Sequence, residues 1–63
     1  MYRVEEYDAT EYVVWAGPNY LGSISMTSNG FYEYVDKLNR KLFLSDPWYI
    51  VSILERKQNE RRE

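Results

Sequence analysis

The chain has 63 residues with no Cys and no His, a net charge of −2, and an aromatic content of 17% drawn from seven Tyr, two Trp and two Phe. That composition excludes disulfides, thiolate or imidazole metal sites and the commonest general base near neutral pH, and a core this small supplies only about 3–5 kcal/mol without a staple. The charge is unevenly placed: residues 1–36 set Arg3 against Glu5, Glu6, Asp8, Glu11, Glu33 and Asp36, whereas bases outnumber acids over residues 37–63.

Tyr2–Tyr7 reads as a first strand and Thr10–Ala16 (TEYVVWA) as a stronger second one, rich in β-branched and aromatic residues. Gly17-Pro18-Asn19 reads as a turn, with Pro18 and Asn19 at its central positions. Tyr20–Ser28 is a third strand, Asn29-Gly30 a two-residue type I′ hairpin loop, and Phe31–Asp36 a fourth strand.

A two-residue loop dictates the register. It sets Ser28 opposite Phe31, Met26 opposite Glu33 and Ile24 opposite Val35; carried back through the preceding turn, it sets Trp15 opposite Gly22 and Val13 opposite Ile24. Because side chains alternate along a strand, Val4, Val13, Trp15, Ile24, Phe31 and Val35 are then expected on the core face, with Trp15 lying over Gly22. The other face would carry Tyr12, Val14, Ala16, Leu21, Ser23, Ser25, Tyr32 and Tyr34.

Residues 37–46 read as a polar connector in which Leu42-Phe43-Leu44 is a buried link or a short fifth strand. A helix follows over residues 47–63. Ser45 and Asp46 are both N-cap residues, and Pro47 suits the first turn. Ile50, Val51, Ile53 and Leu54 make an apolar stripe at helical spacing. After Leu54 the chain is wholly polar (ERKQNERRE), so this end is expected to be solvated or frayed. The fold class predicted is α+β: one small domain over 1–63, with an antiparallel three- to four-stranded β-meander (1–36) followed by one C-terminal α-helix packed on one sheet face.

The function classes narrow by elimination. Glu5, Glu6 and Glu11 could gather on adjacent strands, but a chain this short has little concave volume in which to bury carboxylates and shift their pKa, so the reading is that the protein is not an enzyme. No Asp/Glu spacing builds a hard-cation loop, and Gly17, Gly22 and Gly30 are too dispersed for a phosphate cradle, so no metal and no cofactor is expected. The residues after Met1 carry no leader pattern and no apolar run is long enough for a membrane, which places the chain in the cytoplasm with no membrane partner.

What remains is binding. Tyr and Trp are enriched at protein interfaces. The expected partner surface is the phenol-bearing face, with Tyr12, Val14, Leu21, Tyr32 and Tyr34 rimmed by acids. It would make the chain a regulator or inhibitor of a larger protein whose identity the residues do not specify. One alternative is nucleic-acid binding through the bases of the connector and helix: Lys37, Arg40, Lys41, Arg56, Lys57, Arg61 and Arg62. Another is a structural homo-oligomer, such as a homodimer, in which the tyrosine face meets its two-fold mate.

Overall fold

The computed structural model describes the backbone of residues 1–61 and the side chains through Asn59. Five antiparallel strands follow one another in space as in sequence: β1 (Tyr2–Asp8), β2 (Glu11–Ala16), β3 (Asn19–Met26), β4 (Tyr32–Asp36) and β5 (Lys41–Leu44), followed by one helix, α1 (Tyr49–Arg61). The α+β meander with a C-terminal helix is therefore present, but it has five strands where the sequence suggests three or four. Leu42-Phe43-Leu44 is strand, not linker, because its backbone pairs with β4: Tyr32 faces Leu44, Glu33 faces Phe43 and Tyr34 faces Leu42.

The larger correction is register. Met26 faces Tyr32 and Ile24 faces Tyr34, one residue away from the pairing a two-residue loop would impose. The cause is the turn. Phe31 O accepts a hydrogen bond from Thr27 N–H at 2.7 Å, Thr27 O accepts one from Gly30 N–H at 3.2 Å, and Gly30 sits at φ +90°. This is a three-residue loop, a type I turn closed by a left-handed residue, which uses Asn29-Gly30 differently from a type I′ hairpin. The next hairpin repeats the device: Arg40 O accepts from Asp36 N–H at 3.1 Å, Asp36 O accepts from Asn39 N–H at 2.9 Å, and Asn39 takes φ 65°.

A slip of one residue moves every side chain to the other face. The β2–β3 pairing shows it too, with Tyr12 opposite Ile24 and Val14 opposite Gly22. The turn there centres on Gly17 (φ +60°) and Pro18, with Asn19 already in β3 opposite Ala16, and the pairing shifts between Val14 and Trp15. A positive φ at the first central position with Pro at the second is a type II′ pattern, not a turn led by Pro18.

The core consequently forms on the face expected to be free. Tyr12, Val14, Ile24, Tyr34, Leu44 and Ile50 are buried together, and Val4, Leu21, Tyr32, Val51, Ile53 and Leu54 pack around them. Val4 and Ile24 belong to this side as expected. Val13, Trp15 and Val35 lie half-buried on the opposite face, and Phe31 is exposed beside the β3–β4 turn. The ring over Gly22 is that of Tyr34, not Trp15. A Cβ at Gly22 would run into the Val35 carbonyl oxygen and stand 2.9 Å from Tyr34 Cε1, so only glycine allows this approach.

The helix starts as its caps dictate. Asp46 Oδ1 accepts from Trp48 N–H at 2.9 Å, Asp46 O accepts from Tyr49 N–H at 3.1 Å, and Pro47 lies buried at the first turn. Trp48 then meets Tyr12 edge-on, with ring centroids 5.1 Å apart. This contact seats the first turn on the tyrosine face, and α1 runs on until it packs against β1.

Candidate functional site: an apolar groove beside the helix

The position of α1 decides which surfaces remain available. Tyr12 (8% exposed), Val14 (0%) and Tyr34 (6%) lie beneath it, and Tyr32 is half-buried edge-on to Tyr12. Tyr12 and Val14 are thereby closed to a partner protein or a second copy. Of the five residues of the surface expected from the sequence, Leu21 and Tyr34 border open space, and they do so at the margin of a groove.

The groove follows from simple dimensions. Five strands spaced about 4.8 Å apart span about 19 Å between outer axes, whereas a helix with its side chains is about 10 Å across. One helix covers the Tyr12–Leu44 end of this face and leaves open the end bordered by Tyr2, Ala16, Leu21 and Leu42. That opening encloses about 760 Å³. Tyr2, Ala16, Leu21, Tyr34 and Leu42 from the sheet, Leu38 from the β4–β5 turn and Ile50, Ile53 and Leu54 from α1 form its apolar lining.

The charged residues around it are mostly basic. Lys37, Arg40 and Lys41 come from the β4–β5 hairpin and Lys57 from α1, with Asp36 the acid among them. Asp36 is used structurally: it accepts from Leu38 N–H, Arg40 N–H and Arg40 Nε, each at 2.9 Å. The Arg40 backbone N–H foremost, with help from its guanidinium and from Leu38, holds the Asp36 carboxyl below the usual carboxylate range despite partial burial. Lys41 points its ammonium toward Glu33 at 3.9 Å. Among the described residues no ion pair engages Lys37 or Lys57.

The bases expected to act together are thus partly assembled. Lys37, Arg40 and Lys57 converge on the groove, Lys41 borders it but turns its ammonium to Glu33, and Arg56 is exposed on α1 but does not line it. Arg61 ends the helix with a side chain beyond those described, and Arg62 lies outside the described residues. Sequence reasoning missed Leu42 as a lining residue, although the alternation of Leu42 with Leu44 on an added strand would have supplied it.

The opposite sheet face is uncovered but shielded by its own residues. The Arg3 guanidinium lies 5.4 Å from the centre of the Trp15 ring, donates to Gly17 O at 2.7 Å and pairs with Glu5 at 3.0 Å. Tyr20 meets Trp15 edge-on at 5.9 Å, Ser23, Ser25, Glu33 and Lys41 add polar groups to that face, and half-buried Val13 and Val35 and exposed Phe43 leave apolar surface on it. Trp15 Nε1 is buried there with no hydrogen-bond partner.

Burial raises the pKa of the Tyr12 and Tyr34 phenols, and the Asp36 charge adds to the shift at Tyr34. Among the described residues no cluster of acids could hold a metal ion and no helix is long and apolar enough to cross a membrane. The chain matches no protein-family model, no curated protein matches it, and no solved structure matches it.

Proposed function

We propose that this chain is a non-enzymatic protein-binding module, a regulator or inhibitor of a larger cytoplasmic protein, that grips its partner through the groove beside α1. The observation that carries the reading is an open groove of about 760 Å³ between the sheet and α1, lined by Leu21, Leu42, Ile53 and Leu54. Apolar surface of this kind, rimmed by charge, is what binding sites present and what a small domain otherwise hides.

The test is affinity capture from the native host with the wild-type chain and with a Leu38→Ser/Leu42→Ser variant. Both residues are exposed enough for the fold to tolerate the change: Leu38 is 72% and Leu42 36% exposed. The expected result is a protein retained by the wild type and lost by the variant, with identical circular dichroism spectra. Equal capture by the two would refute the groove.

A second reading has one observation in its favour, the convergence of Lys37, Arg40 and Lys57. Nucleic-acid binding through these bases predicts affinity for a single-stranded oligonucleotide that falls steeply with salt. Among the described residues the only rings in the lining are the half-buried Tyr2 and the buried Tyr34, which favours the protein partner, since unpaired bases are held by stacking on exposed rings.

A further inference from the structure

We infer that the groove is a berth for one amphipathic α-helix of the partner protein, lying alongside α1 and carrying acidic residues on the flanks of its apolar stripe. The inference rests on the reading of the groove as a protein-binding site and names what enters it.

Width is the first argument. The groove takes residues from all five strands, Tyr2, Ala16, Leu21, Tyr34 and Leu42, and follows α1 along its length, so it has the breadth of the sheet, about 19 Å, for a second helix beside the first. The lining is the second. Ile53 and Leu54 form one wall, Leu21 and Leu42 the floor, all aliphatic, which is the surface that an i, i+3, i+4 apolar stripe fills. Length is the third: the helical residues along the groove run from Ile50 to Gln58, about 12 Å, or a little over two turns of an incoming helix.

Charge selects the chemistry of the flanks. Lys37 and Arg40 stand on the hairpin side and Lys57 on the α1 side, so bases face the occupant from both walls. Asp36 offsets Arg40 through its pair at 2.9 Å, leaving Lys37 and Lys57 as the main determinants. A helix with acids beside its stripe gains at both walls; one with lysines there meets repulsion at both.

The experiment uses the full chain and three synthetic amphipathic peptides of about 16 residues, titrated by fluorescence anisotropy. One has Leu at helical spacing flanked by Glu, the second has Lys for each Glu, and the third is the first with a central Pro. The Glu peptide is expected to bind, and the Lys and Pro peptides are not. Lys37→Glu/Lys57→Glu should weaken the Glu peptide about tenfold and admit the Lys peptide. The inference is overturned by equal binding of the Glu and Lys peptides, by Glu-peptide binding that survives the double reversal, by binding of the Pro peptide, which would point to strand addition on the β5 edge, or by tighter binding of an oligothymidylate. Host-protein capture separates the two levels. If capture is lost in Leu38→Ser/Leu42→Ser while the Glu peptide fails, the helical occupant is wrong and the groove stands; if capture is unaffected, the groove itself is wrong.

Discussion

At the scale of single residues, a few side chains hold positions that no neighbour can replace. Gly22 is one: the Val35 carbonyl oxygen and the Tyr34 ring occupy the space a methyl would need. Gly22→Ala forces β3 and β4 apart and should cost about 1–3 kcal/mol, a large share of the stability of a domain this size. Chemical denaturation of the purified variant checks this. Asp46 is another, since it caps the first turn of α1 through Trp48 N–H; Asp46→Ala should cost about 1 kcal/mol and Asp46→Ser much less. Asp36 ties the β4–β5 turn together, and its pKa lies below the ordinary carboxylate value. Its contribution is complete above the unfolded-state pKa of about 3.9 and is lost as pH falls through the lower folded value. Asp36→Asn should therefore flatten the acid limb of a stability–pH profile. Tyr12 and Tyr34 act at the other end of the scale: their raised pKa values keep full stability below the unfolded phenol value of about 10 and lose it as pH rises beyond that.

At the scale of elements, the positions of β1 to β4 and of α1 were legible because their signals are local, whereas β5 reads as part of a connector or as a short fifth strand. β-branched and aromatic runs mark β2 and β3, and Asp46-Pro47 marks the start of α1. The register was not legible, and the reason is specific. Asn-Gly serves both a two-residue type I′ loop and the end of a three-residue loop, and these alternatives differ by one residue. Here Thr27 decides between them, because its hydroxyl accepts from Phe31 N–H at 3.2 Å and closes the longer loop. Asp36 makes the same contact to Arg40 N–H. A Thr or Asp four residues before the strand resumes was the available signal. From that one-residue difference came the exchange of sheet faces, the burial of Tyr12 and Tyr34, and the loss of the expected phenol surface. The left-handed positions supply a check: Asn39→Gly should be tolerated, whereas Asn39→Val should destabilise the β4–β5 hairpin by about 1–2 kcal/mol in thermal unfolding.

At the scale of the whole molecule, the account turns on a mismatch between a five-stranded sheet and a single helix. The apolar stripe of α1 showed that one face would be covered, but one helix leaves the end bordered by Tyr2, Ala16, Leu21 and Leu42 open. The groove was invisible in the sequence because its residues come from all five strands, the β4–β5 turn and α1, and only the fifth strand brings Leu42 to it. The convergence of Lys37, Arg40 and Lys57 depends on the same geometry, although the basic character of the second part of the chain was plain from composition. The edge strands are defended in different ways. β1 carries Arg3, Glu5, Glu6 and Asp8 with an irregularity between Glu6 and Asp8, and β5 is only four residues long.

The most direct measurement is a titration of isotope-labelled chain with its captured partner, followed through backbone amide chemical shifts. The account predicts that the perturbed amides trace the groove, at Leu21, Lys37, Leu42, Leu54 and Lys57, while those of Trp15, Tyr20, Ser25 and Phe43 stay in place. Perturbation centred on Trp15 and Phe43, with the amides along the groove unmoved, would contradict it.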